Sequence, residues 1–131
     1  MGNGKVLIID DEEDIRLLCR LNLEPTGMEV VEAGSGAGGL QAAFGDTPDA
    51  VVLDLMMPEM DGFEVLRILR ADERTSEVPI LVLTAKVGSL ERSRCDSLGA
   101  DAFFTKPFVP SDLAQQLDEL IGRGRTAPRS P

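Results

Sequence analysis

Four short apolar runs punctuate the chain, and each closes on a polar residue, the types being complementary. Lys5–Ile9 (KVLII) runs into Asp10 and Asp11, and Ala50–Leu53 (AVVL) into Asp54. Pro79–Leu83 (PILVL) ends at Thr84, and the shorter Ala102–Thr105 (AFFT) precedes Lys106 and Pro107. Runs of this length, rich in β-branched residues and bounded by turn formers, predict buried strands. Met28–Ala33 is interrupted by Glu29 and Glu32, the pattern of an edge strand with one side in water.

Between these runs the periodicity turns helical. Glu12–Leu23 carries Ile15, Leu18 and Cys19 on one face, with acids in its first turn to suit the helix dipole, and Pro25 and Gly27 end it. Gly34–Gly36 turns into a helix of Ala37, Leu40, Ala43 and Phe44. Phe63–Ala71 points Val65, Leu66 and Leu69 inward, and Asp61 is placed to cap it. Ser89–Leu98 has only Leu90, Cys95 and Leu98 as apolar anchors, which predicts a helix that is easily moved. Ser111–Ile121 spaces Leu113, Leu117, Leu120 and Ile121 along one face, with Gly122 and Gly124 expected to stop it.

Five strands alternating with five helices predict an α/β domain, a parallel sheet covered on both faces through right-handed crossovers. Ligands of such sheets bind outside the carboxyl ends of the strands. Those ends carry Asp10, Asp11, Asp54, Thr84 and Lys106. Clustered carboxylates repel one another unless they share a cation or a proton. One reading is a structural salt-bridge cluster around Lys106. The other is a phosphoryl-transfer site. In it Asp54 is the nucleophile, a hard divalent ion such as magnesium absorbs developing charge, and Lys106 and Thr84 contact phosphoryl oxygens.

Composition narrows the class. The 131 residues suit one domain with a sizeable core, and 43% hydrophobic with 27% charged residues is ordinary for a globular protein. The net charge of −10 argues against nucleic acid as a direct partner of this domain. With no histidine in the chain, Cys19 and Cys95 lack any metal-ligand spacing, and they read as buried thiols in a reducing cytosol. Neither a secretory signal pattern nor an apolar run of membrane-spanning length is present, so a cytoplasmic location is expected.

The segments VLIIDDEEDIR, VVLDLMMPEMDGFEVL, PILVLTA and GADAFFTKPF resemble, in order, the response-regulator receiver domain of two-component signalling, as in the chemotaxis regulators. The resemblance covers about residues 5–121 and implies the doubly wound, flavodoxin-like sheet of order 2-1-3-4-5. Residues 1–121 are then the receiver, and residues 122–131, with Arg123, Arg125 and Arg129, a flexible tail or the start of a linker. By resemblance, Asp54 is the phosphoacceptor. Asp11, Asp54 and the backbone carbonyl of Met56 are magnesium ligands, with Asp10 acting on the metal through water. Thr84 matches the switch hydroxyl, Lys106 the phosphate-binding lysine, and Lys106–Pro107 a cis peptide bond. Phe103 matches an aromatic switch that is often tyrosine, and Phe104 is expected on the opposite face of its strand. Met56 and Lys86, each two residues beyond a site residue, are expected to tune phosphoryl lifetime.

The family function implied is a phosphorylation-dependent switch rather than a conventional enzyme. The phosphoryl group comes from a histidine kinase or phosphotransfer protein, and output is protein contact through Ser89–Leu98, Ala102–Thr105 and Ser111–Ile121. The acids Asp112, Asp118 and Glu119 and the lack of a base before Arg123 argue against pairing of two receivers through that face. A stand-alone receiver is the favoured context, with a piece of a larger regulator or of a hybrid kinase as alternatives. A magnesium-dependent phosphohydrolase would need a second Asp where Met56 stands, and a pseudo-receiver would lack part of the five-residue set. Gly34–Gly39 has no P-loop lysine. The cognate kinase, downstream target and pathway are not encoded in these patterns.

Overall fold

The apolar runs form the strands of one parallel sheet in the computed structural model, which describes residues 4–85 and 88–123. In chain order the elements are β1 (Lys5–Ile9), α1 (Glu13–Leu23), β2 (Glu29–Ala33), α2 (Gly36–Gly45), β3 (Ala50–Leu53), α3 (Gly62–Ala71), β4 (Ile80–Thr84), α4 (Ser89–Leu98), β5 (Ala102–Thr105) and α5 (Pro110–Arg123). A single 3-10 turn, Glu24–Thr26, follows α1. The strands lie in the order β2-β1-β3-β4-β5, so β2, with its two glutamates, is an edge as its pattern predicts. No helix among the described residues is long and apolar enough to cross a membrane.

Alternate residues of each strand feed two cores, because side chains of a strand point to opposite faces. Leu7, Ile9, Val51, Leu53, Ile80 and Val82 pack against α2, α3 and α4. Val6, Ile8, Val52, Leu81 and Leu83 pack against Cys19 and Leu23 of α1 and Leu113, Leu117 and Leu120 of α5. The helix starts use local chemistry: Ser35 accepts from the Gly38 amide at 3.0 Å, and Asp61 from the Glu64 amide at 3.0 Å. Both cysteines are free and buried, and burial raises their thiols to about 12 for Cys19 and about 11 for Cys95.

The helices are unequally anchored. Each fully buried aliphatic side chain contributes about 1.5–3 kcal/mol. α3 buries Val65, Leu66 and Leu69, whereas α4 fully buries only Cys95. Leu90, expected as an inward anchor, is instead 81% exposed, because it lies in the first turn of α4 on the face away from the sheet. Ala37 is likewise exposed, and Gly36 and Gly39 make the close contacts of α2. A Cβ on Gly39 would stand 2.5 Å from the Ile9 side chain. Two further expectations are corrected. β4 begins at Ile80 and includes Thr84, which pairs with Thr105 of β5. α5 runs through Gly122 to Arg123, since one glycine in a last turn costs only about 1 kcal/mol against the burial of Leu113, Leu117 and Leu120. Gly124 and the tail lie outside the described residues.

At the amino ends of β4 and β5, Arg70 organises the chain. Its guanidinium donates to the carbonyls of Gly99 at 3.0 Å and Val78 at 2.7 Å, and to Asp101 Oδ2 at 2.8 Å. The same Asp101 oxygen accepts from the Ile80 amide at 2.8 Å. The carboxyl end of α4 is thereby held to α3 at Gly99, whose φ of 98° is left-handed and suits glycine.

Candidate functional site

Strand register brings the polar strand ends together. Ile9 of β1 pairs with Leu53 of β3, so Asp10 and Asp54 leave neighbouring strands at the same level. The Asp54 amide donates to Ile9 O at 2.9 Å, and the Asp10 amide to Ala33 O at 3.1 Å, which extends the ladder through both acids. On the other side, the Lys106 amide donates to Thr84 O at 2.9 Å, tying the residue after β5 to the end of β4. Asp10 and Asp54 are only 2% and 3% exposed, and Thr84 is fully buried. The Lys106–Pro107 peptide bond is cis.

Each aspartate divides its two oxygens between a backbone amide and the lysine. Asp10 Oδ1 accepts from the Glu12 amide at 2.9 Å, and Asp54 Oδ1 from the Met56 amide at 3.1 Å. Their Oδ2 atoms face Lys106 Nζ at 2.9 Å and 3.3 Å. Glu12 Oε1 lies closer still, at 2.6 Å. Burial works against the Lys106 charge, but hydrogen bonds to Glu12 and Asp10 outweigh it and hold the ammonium above its ordinary pKa. Burial pushes Asp10 up to about 6, aided by the nearby Asp54 charge and opposed by the Glu12 amide and Lys106.

The shift of Asp10 has a consequence for stability. Its folded pKa, about 6, exceeds the ordinary 3.8, so between those values the folded state holds a proton that the unfolded chain has released. The contribution is therefore fully present below about pH 4 and is lost as pH rises through 6. Glu32, lowered despite its burial by bonds to Arg20 and Arg16, titrates below the ordinary carboxylate range and stays outside this window. Urea denaturation of metal-free protein is expected to show stability rising by about 1.3 kcal/mol from pH 7 to pH 5. Asp10→Asn should abolish that rise, and a flat profile in the parent protein would mean that Asp10 is not desolvated.

Asp10, Glu12 and Asp54 present carboxylate oxygens within 4.8 Å of one another. This is an all-oxygen donor set, more negative than one ammonium neutralises, with a buried acid whose pKa is raised. It fits a hard divalent cation better than a soft one. Of the residues expected at the site, Asp10, Asp54, Thr84 and Lys106 converge. Asp11 is exposed and lies outside the close cluster. Glu12 was missed, since a glutamate within a run of five acids reads simply as part of an acidic first turn. Met56 is exposed beside Asp54, and Lys86 falls outside the described residues. Phe103 is half-buried on the α4 side with the Arg92 guanidinium 5.2 Å from its ring centre, and Phe104 packs into the opposite core, as alternation requires.

Comparison with known proteins identifies the family. Residues 6–118 match the response regulator receiver domain family. The chain is 39% identical over 125 residues to the alkaline phosphatase synthesis transcriptional regulatory protein PhoP of Bacillus subtilis, covering 95% of this chain and 51% of that protein. It is 40% identical over 124 residues to the transcriptional regulatory protein KdpE of Mycobacterium tuberculosis, covering 95% and 50%. The chain thus spans about half the length of the curated relatives it matches. Among solved structures, the chemotaxis protein CheY4 of Vibrio cholerae superposes with a TM-score of 0.84 at 32% identity, over 88% of this chain and 97% of that one. A response regulator from Chloroflexus aurantiacus gives 0.86 at 31% identity, over 92% and 98%. With residues 6–118 matched by the family model, and with its sheet order and fold shared with solved receivers, the chain belongs to the response-regulator receiver domains.

Proposed function

We propose that this domain is a phosphorylation-dependent signalling switch that accepts a phosphoryl group on Asp54 from a histidine kinase or histidine phosphotransfer protein. One observation carries the reading: a buried Asp54 carboxylate points one oxygen at Lys106 Nζ, 3.3 Å away, with two more carboxylates within reach of a shared cation. In the transfer, an Asp54 oxygen forms a bond to phosphorus as the donor's phosphorus–nitrogen bond breaks, and the electron pair leaves on the imidazole, which takes up a proton. The Met56 amide orients the other Asp54 oxygen, and Lys106 supplies positive charge where the phosphoryl oxygens come to lie. Magnesium, when bound, neutralises charge developing on those oxygens. By family resemblance its ligands are Asp11, Asp54 and the Met56 carbonyl, with Asp10 acting through water; the acidic set on this strand edge suits such an ion.

The readout follows from charge. A phosphoryl group adds nearly two negative charges beside Asp10, and the Thr84 hydroxyl turns to donate to it. Phe103 then moves further inward, away from Arg92, and α4, anchored mainly by Cys95 and at Gly99, shifts on its neighbours. The altered face of α4, β5 and α5 contacts a downstream protein; the acidity of the chain disfavours direct contact with nucleic acid. Met56 and Lys86 tune the lifetime of the phosphoryl group, which the apolar Met56 lengthens by positioning no water. The domain acts in the cytoplasm, and residues 1–121 suffice for the switch.

Intact-mass measurement after incubation with a small acyl-phosphate donor tests this directly. The expected result is a magnesium-dependent gain of one phosphoryl group, absent in Asp54→Asn. No gain under conditions that label a control receiver would leave a binding module that is not phosphorylated. Rapid release of phosphate without an adduct would point to a hydrolase.

A further inference from the structure

Lys106 has three N–H donors and faces three carboxylates. The shortest contact, 2.6 Å, goes to Glu12 rather than to Asp10 at 2.9 Å or Asp54 at 3.3 Å. The three partners differ in what they can give up. Asp10 and Asp54 are buried, whereas the Glu12 side chain is 58% exposed. Glu12 occupies the N-cap of α1, yet its side chain does not cap the helix; it reaches instead to Lys106, 94 residues further along the chain. Its amide, bonded to Asp10 Oδ1, fixes its backbone against the floor of the site.

We infer that Glu12 is a positioning residue for phosphoryl acceptance, holding Lys106 at the rim of the site until a phosphoryl group on Asp54 takes over the ammonium. This rests on the reading of Asp54 as phosphoacceptor. An arriving phosphoryl oxygen needs a Lys106 N–H, and all three already face carboxylates. Withdrawing Lys106 from Asp10 would leave a buried charge without its partner. The Asp54 oxygen that faces Lys106 is the one that bonds phosphorus, so of the two carboxylates left to the ammonium only Glu12 can release its bond into water at small cost, because an exposed carboxylate is readily hydrated. Glu12 therefore competes with the phosphoryl group for Lys106, and the strength of that competition sets how readily the charged state forms.

The test uses beryllofluoride, an inorganic mimic of the aspartyl phosphoryl group, titrated by NMR at magnesium concentrations that saturate each variant. Glu12→Gln is expected to bind it about two- to fivefold more tightly than the parent protein, the range set by an exposed ion pair. The gain should vanish in a Lys106→Met background. Lysine side-chain NMR gives a second reading should Lys106→Met fail to fold: the Lys106 ammonium resonance, assigned with Lys106→Arg, should move in Glu12→Gln. Unchanged or weaker binding, a gain that persists without Lys106, or an unmoved ammonium resonance would each overturn the inference. If the parent protein binds no beryllofluoride at all, the phosphoacceptor reading fails and this one with it; binding by the parent with no response to Glu12→Gln removes only the role of Glu12.

Discussion

Lys106→Ala is expected to cost about 3–5 kcal/mol of folding stability at pH 7.5, the range for removing one partner from a buried charge cluster. Lys106 is the cation shared by Asp10, Glu12 and Asp54, and its side chain is only 11% exposed. Without it, two nearly inaccessible carboxylates stand side by side at the ends of β1 and β3, with the Glu12 and Met56 amides as their remaining donors among the described residues. Such a pair can relieve itself by taking up a proton, and Asp10, already raised to about 6, is the site where that proton goes. The loss should therefore shrink at pH 5, and Asp10→Asn in the same background should recover much of it. Urea denaturation at the two pH values measures both effects. A loss below about 1 kcal/mol at pH 7.5 would mean that water screens the cluster as it does a surface ion pair.

Gly62→Ala is expected to destabilise by at least about 3 kcal/mol and to impair phosphoryl acceptance as well. Gly62 opens α3 and lies directly on the backbone that carries the phosphoacceptor. A Cβ there would stand 2.2 Å from Asp54 O and 2.6 Å from Leu55 Cα. Both obstacles are main chain, so no side chain can rotate aside. The Gly62 amide also donates to Leu55 O at 3.0 Å, which pins the two segments together. Either α3 must lift off the sheet, exposing Val65, Leu66 and Leu69, or the Asp54 backbone must move and take its carboxylate away from Lys106. Gly122→Ala is the matched control. Its added Cβ meets nothing within 4 Å, and alanine there should raise stability by up to about 1 kcal/mol. Thermal unfolding of the two variants, with phosphorylation of each, distinguishes a packing requirement at Gly62 from a general intolerance of the substitution.

Much of the architecture was legible before folding because it depends on local chemistry. A strand buried on both faces has to be apolar throughout, so KVLII, AVVL and PILVL announced β1, β3 and β4. An edge strand tolerates Glu29 and Glu32, and so β2 was placed. Helical spacing marked α3 and α5, and Asp61 marked the start of α3. In a parallel sheet all carboxyl ends share one edge, so the convergence of Asp10, Asp54, Thr84 and Lys106 followed from topology, and their family pattern named the fold. Boundaries at β4 and at the end of α5 moved by one or two residues because pairing with Thr105 and burial of Leu120 outweigh the local preferences of Pro79 and Gly122.

Other features had no local signature. Leu90 looked like an anchor by spacing, but which side of a short first turn meets the sheet depends on how α4 is set against α3. Arg70 carried no sign that it would gather the carbonyls of Gly99 and Val78 with Asp101, since those partners lie 8 to 31 residues away and meet only when the amino ends of β4 and β5 are aligned. Glu12 is the clearest case. In the chain it is one acid among five in a row, and only folding sets Lys106 Nζ 2.6 Å from its carboxylate while leaving Asp11 in water. The order of residues thus specified which strands exist, which edge holds the chemistry and which side chains could perform it. Distance and burial decided the rest: which acid partners the lysine, which carboxylate is driven to hold a proton, and which glycine has no room for a methyl group. Those quantities arise between segments far apart in the chain, where no periodicity or spacing can record them.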